Sequence, residues 1–221
     1  MGAHCSQPQS IRARPENTRI SPSGCATMSI VRPVTTARHK TPHHLGQTAA
    51  QIFAANDRLN QMLLENLDPA AWVARSPGKT RTIAAIFTHM HNVRCKWVRL
   101  NAPHLKVPKQ LHRTKCSPKQ ARAGLAESAA CCAEMLAEAL GGEGRIENFV
   151  RDGWARPWPV GIEMLCYMIS HEAHHRGQIC MLAQQLGFPL PQPVGYGLWN
   201  WEKVWKDCDA SAGPGRSPRH L

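Results

Sequence analysis

Through the middle of the chain apolar residues recur every three or four positions, with polar residues filling the intervals. From about Leu45 to Leu67 the stripe is Ile52, Phe53, Leu59, Leu63 and Leu67, and Pro69 ends it. From about Thr80 to Leu100, Ile83, Ile86, Met90, Val93, Trp97 and Leu100 alternate by three and four, the period of a helix that packs one face against neighbours. Asn101 and Pro103 stop it. A third pattern has the clearest start: Ser117 as N-cap, Pro118 at the first helical position and Gln120 placed for a capping box. It continues through Leu125, Met135 and Leu140 to Gly141 and Gly142. The fourth begins near Pro159 and runs to Leu186, where Gly187 and Pro189 close it. A Trp-rich stretch with Trp199, Trp201 and Trp205 follows, expected as a short helix or turn over one end. There is no strand pattern and no internal repeat. The expected class is all-α, a four-helix bundle over residues 45–208 with longer crossovers.

Flanking this region, residues 1–44 carry Ser, Pro, Arg, Thr and His without an apolar period, and 209–221 are rich in Gly and Pro. Both are expected to be disordered. No run of about 18 apolar residues is present for a membrane span, and the start lacks the apolar core of a secretory signal, so a cytoplasmic protein is expected.

The formal charge of +12 raises the question of nucleic acid. Much of the excess lies in the N-terminal segment, and a second cluster gathers around a loop: Lys96, Arg99, Lys106, Lys109, Arg113 and Lys115. Neither is interleaved with the aromatic residues that stack bases, so a solvated basic surface is expected and nucleic acid is not. Nine cysteines without a single C-x-x-C pair exclude a zinc ribbon, and they are expected to be reduced.

The fourth pattern carries the chemistry. Its inward face reads Met164, Met168, His171, His175, Ile179, Leu182 and Leu186, so two histidines stand where apolar side chains belong. They lie one turn apart and project from one face. Burying two unpartnered imidazoles costs free energy, whereas a shared metal ion uses both as ligands. On the second pattern, His89 falls on the inward side, between Ile86 and Val93, and His91 points elsewhere. Three histidines with open positions are the donor set of a catalytic zinc-type site, which nickel, iron or manganese would also accept. His171-Glu172-Ala173-His174-His175 also fits H-E-x-x-H, in which Glu172 would act as general base of a zinc peptidase and Glu202 could supply a third ligand.

Together these features resemble the DinB-like superfamily, which includes the YfiT-type proteins. The likeness is carried by Thr82–Arg94 with its His89, by His171–Gln178, and by Met181–Gly187 with the following Pro-Leu-Pro and Gly195-Tyr196-Gly197-Leu198-Trp199. The resemblance implies an up-down-down-up bundle, often a homodimer, whose metal is held by His89, His171 and His175. It also implies a small-molecule substrate and, by analogy with characterised relatives, a thiol-dependent S-transferase or related hydrolase using a bacillithiol-, mycothiol- or glutathione-like cofactor. The alternative is a metal-binding scaffold without turnover. Arg176 is then a candidate anchor for a substrate carboxylate, Glu172 a second catalytic candidate, and Gln178 and Asn92 candidate donors to a ring or a bound water.

Overall fold

The computed structural model describes residues 45–77, 81–141, 146, 148–151, 154–157 and 162–211. The tails expected to be disordered, 1–44 and the residues after 211, lie outside them. Four long helices dominate: α1 (Leu45–Asn66), α2 (Ile83–Asn101), α3 (Pro118–Leu140) and α4 (Ile162–Gln185). A 3-10 turn, Pro69–Trp72, follows α1, and Trp72 Nε1 donates to the Cys116 carbonyl at 2.8 Å, tying that turn to the start of α3.

The helix ends follow local chemistry. Thr82 caps α2 by accepting from the Ala85 N–H. Ser117 and Gln120 form the reciprocal capping box at the start of α3, with Pro118 supplying no orphan N–H. Beyond α4, Gly187 takes φ +83°, a region costly for a residue with a Cβ. Gly187 N–H reaches the Gln184 carbonyl and Phe188 N–H the Ala183 carbonyl, the paired bonds of a Schellman stop.

The Trp-rich stretch forms two helices, α5 (Gln192–Gly197) and α6 (Trp201–Ser211). The last runs past the boundary of 208 expected for the folded region. It packs along α1, where Arg58 bonds Asp207 at 3.1 Å.

The expectation of no strands needs correcting. An antiparallel hairpin, β1 (Asn148–Arg151) and β2 (Trp154–Pro157), precedes α4 in a mostly helical chain. Four-residue strands are too short to show a period of two. Tertiary contacts hold this one: Phe149 is buried in the core, and the Asn101 amide at the end of α2 brackets Val150. Its Oδ1 accepts from Val150 N–H at 2.6 Å and its Nδ2 donates to the Val150 carbonyl at 3.3 Å.

Among the described residues, two of three apolar clusters are built from all four long helices, and the third joins α1 to α5 and α6. Of the first two, one contains Phe53, Trp97, Cys132, Met135, Leu136, Phe149 and Met168. The other contains Leu63, Ile83, Phe87, Met90, Leu125 and Ile179. In sequence, each helix places buried polar residues between its contributions to the two: Asn56, Asp57 and Asn60 on α1, Arg94 on α2, Ser128 on α3, and Glu172 on α4. The polar residues therefore occupy a layer between the two cores.

Candidate metal centre

His89 comes from α2, and His171 and His175 come from successive turns of α4. Their rings converge. Centroids lie 5.4 Å apart for His89 and His171, 4.8 Å for His89 and His175, and 4.6 Å for His171 and His175. One ring nitrogen from each lies within 4.8 Å of the other two. His175 is buried, and the other two are partly buried. Trp97 packs edge-on against His171, with centroids 5.4 Å apart, and Tyr167 lies 6.3 Å from the same ring.

The environment of His175 suits a ligand rather than a charged imidazole. Burial holds His175 below the usual histidine pKa, opposed by its bond to Gln178 and aided by the neighbouring His174 and Arg81. His175 Nδ1 lies 2.7 Å from Gln178 Oε1. An amide oxygen only accepts, so Nδ1 carries the proton and Nε2 keeps its lone pair. Gln178, expected from the sequence to donate to a ring or a bound water, here accepts from the ring. Three imidazoles, one already oriented, are a fitting set for a divalent transition metal.

His91, two residues on, takes no part. It is fully buried on another side of α2, with Nδ1 2.8 Å from the Gly124 carbonyl and Nε2 3.0 Å from the Lys109 carbonyl. It joins α2 to α3 and to the loop between them. Asn92 also faces that loop. Rather than reaching a ring, its amide brackets Leu111, with Nδ2 donating to the carbonyl at 3.0 Å and Oδ1 accepting from the N–H at 2.9 Å.

The two catalytic candidates lie in a shared hydrogen-bond network. Glu172 is completely buried, and both its oxygens are taken. Arg94 Nε donates to Oε1 at 2.6 Å and Arg94 Nη2 to Oε2 at 2.7 Å, while the amides of Asn56 and Asn60 donate to Oε2 at 2.6 and 2.7 Å. Burial alone would raise its pKa. The guanidinium, its hydrogen bonds, the Asn60 amide and the charge of Arg176 hold it below the ordinary value. A carboxylate so engaged cannot abstract a proton from a metal-bound water. Glu202 lies exposed on α6, paired with Lys206 at 2.6 Å. The peptidase reading therefore loses both its base and its third ligand. Arg176 is not a free surface residue either: Nη1 donates to Asn56 Oδ1 at 2.8 Å and Asn60 Oδ1 at 3.0 Å.

This network of Asn56, Asp57, Asn60, Arg94, Glu172 and Arg176 was missed as a unit. A signal existed. Asn56 falls three residues after Phe53 and Asn60 three before Leu63, and Arg94 falls between Met90 and Trp97, all on core stripes.

A mostly helical fold with three converging histidines defines a class of protein able to hold a divalent metal ion. The family is then given by comparison: the model for the DinB family matches residues 38–204, and the chain belongs to that family. Comparison with curated proteins and with solved structures returns no match.

Proposed function

We propose that the chain is a metal-dependent enzyme in which His89, His171 and His175 hold one divalent ion, zinc or nickel. The reaction is transfer to or from a low-molecular-weight thiol, or a related hydrolysis, on a small-molecule substrate. The observation that carries the reading is the convergence of three imidazoles from two helices beside a cavity of about 580 Å³ that His89 itself lines. A bound ion would lower the pKa of a thiol or water entering beside it. The chain's own residues prepare for this: Gln178 fixes the tautomer of His175, and Trp97 and Tyr167 pack against the His171 ring.

The order in which the helices meet the two apolar clusters supports an up-down-down-up bundle. Helices α1 and α4 run from Phe53 and Met168 toward Leu63 and Ile179, whereas α2 and α3 run from Met90 and Leu125 toward Trp97 and Cys132. The proposal includes a cytoplasmic homodimer. Exposed Met181, Tyr196 and Trp199 offer apolar surface for a second copy. No helix among the described residues is long and apolar enough to cross a membrane.

The test is elemental analysis of untagged protein, with a thermal-shift screen of small thiols before and after chelation. His89→Ala, His171→Ala and His175→Ala should each abolish metal retention, and His91→Ala should keep it. Full metal content in any of the first three variants would defeat the proposal.

A further inference from the structure

The cavity beside His89 has one wall from α2 and one from the loop that precedes α3. On α2 its lining runs His89, Val93, Lys96 and Arg99, with Asn92. These positions recur by three and four, so they form one stripe along the helix. Opposite stand Leu111, His112 and Arg113. Among the described residues, the lining contains three permanent cations and no carboxylate. The basic cluster visible in the sequence is thus not merely spread over solvent. Part of it faces a concave space that ends at the metal centre.

The loop wall is tied to α2. Asn92 brackets Leu111 through both amide atoms, the Lys109 carbonyl lies 3.0 Å from His91 Nε2, and Cys95 Sγ donates to the Pro108 carbonyl at 3.7 Å. Arg113 follows this anchored stretch by two residues, so its backbone starts from a fixed place. A cleft lined by one sign of charge concentrates ligands of the other sign. The volume is that of a site for a small molecule, not for a protein segment. Along α2, Lys96 lies about 10 Å and Arg99 about 15 Å from His89, at about 1.5 Å per residue. Val93 and Leu111 supply apolar surface between the centre and the cations.

We infer that this cavity is an anion subsite, so that the enzyme's small-molecule substrate or thiol carries one or more carboxylates, bound by Lys96, Arg99 and Arg113 while its reacting end lies at His89. This rests on the metal-dependent reading above and adds the chemical class of the ligand. Asn92 is a positioning residue that keeps the loop, and with it Arg113, against the cavity.

The experiment is calorimetric titration of the full-length, zinc-loaded protein with mercaptosuccinate, its dimethyl ester and 2-mercaptoethanol. The dicarboxylate should bind about tenfold tighter than the ester, the worth of one charge-assisted contact in an open cleft, and the preference should shrink at ~0.5 M salt. Arg99→Gln/Arg113→Gln should remove the preference while metal content and affinity for 2-mercaptoethanol stay unchanged. Equal binding of acid and ester by metal-loaded wild type would overturn the inference and leave the metal centre standing. So would a preference that survives the double variant. Tight binding of a single-stranded oligonucleotide, lost in the same double variant without any preference for the small dicarboxylate, would assign the cations to a polyanion instead. Tricarballylate titrated into chelated protein separates the two failures: binding lost in the double variant supports the subsite even if no metal is retained.

Discussion

Arg94 on α2 and Glu172 on α4 meet in a two-pronged ion pair, Nε to Oε1 at 2.6 Å and Nη2 to Oε2 at 2.7 Å, with both side chains fully withdrawn from water. Asp57 adds a second carboxylate to the same guanidinium at 2.7 Å, so one cation links α1, α2 and α4. Glu172 sits next to His171 and three residues before His175. The pair therefore sets the rotation and height of α4 against α2, and with them the meeting of the three rings.

Removing one partner should cost far more than removing both. Arg94→Met leaves two carboxylates buried beside each other and should destabilise the protein by about 3–5 kcal/mol. Arg94→Met combined with Glu172→Gln should recover part of that loss. Urea denaturation of the three proteins checks the order; a double variant less stable than Arg94→Met would contradict it.

The same network sets an acid limit. Glu172 titrates below its ordinary value in the folded chain, so the unfolded chain binds more protons as pH falls. Its contribution is complete above the ordinary carboxylate range near 4.5 and is lost as pH falls through the folded pKa. Asp57 has the opposite sign: burial outweighs Arg94 and raises it, so it loses stability as pH rises through its folded value. Glu172→Gln should flatten the acid side of melting temperature against pH, and Asp57→Asn should leave it or steepen it. Identical acid slopes in both variants would refute this assignment.

Gln178 should matter to the metal without touching it. Gln178→Ala frees the His175 ring to rotate and change tautomer, and should weaken metal affinity by about 10–100-fold with little change in melting temperature of the metal-free protein. A competition titration against a chromophoric chelator measures the first quantity. Unchanged affinity would show that packing alone fixes the ring.

Two helical glycines should respond oppositely to alanine. At Gly46 a Cβ would overlap the Ala137 carbonyl where α1 crosses α3, so Gly46→Ala should cost about 1–3 kcal/mol. At Gly177 on α4 nothing lies within 4 Å of the added atom, so Gly177→Ala should stabilise by about 0.5–1 kcal/mol. Thermal denaturation distinguishes them by sign.

The four long helices were readable because their apolar period and caps are local properties. Ser117, Pro118 and Gln120 act within a single turn, and His171 and His175 share a face on any α-helix. His89 could be placed on an inward stripe by the same periodicity. The hairpin could not be read, since Asn148–Arg151 holds its form through Phe149 in the core and Asn101 on another helix. Arg176 and Glu172 looked like surface or catalytic groups because their amide partners lie more than a hundred residues away.

Sequence alone determined where the four long helices run and that His171 and His175 share one face of α4, because helical periodicity assigns every side chain a direction before any helix finds a neighbour. Only the tertiary structure decided that Glu172 is held by Arg94, that Asn92 secures Leu111, and that Lys96, Arg99 and Arg113 face one cavity. Hydrogen bonds and charge pairs act over a few ångströms, and it is the packing of distant helices that brings those groups within reach.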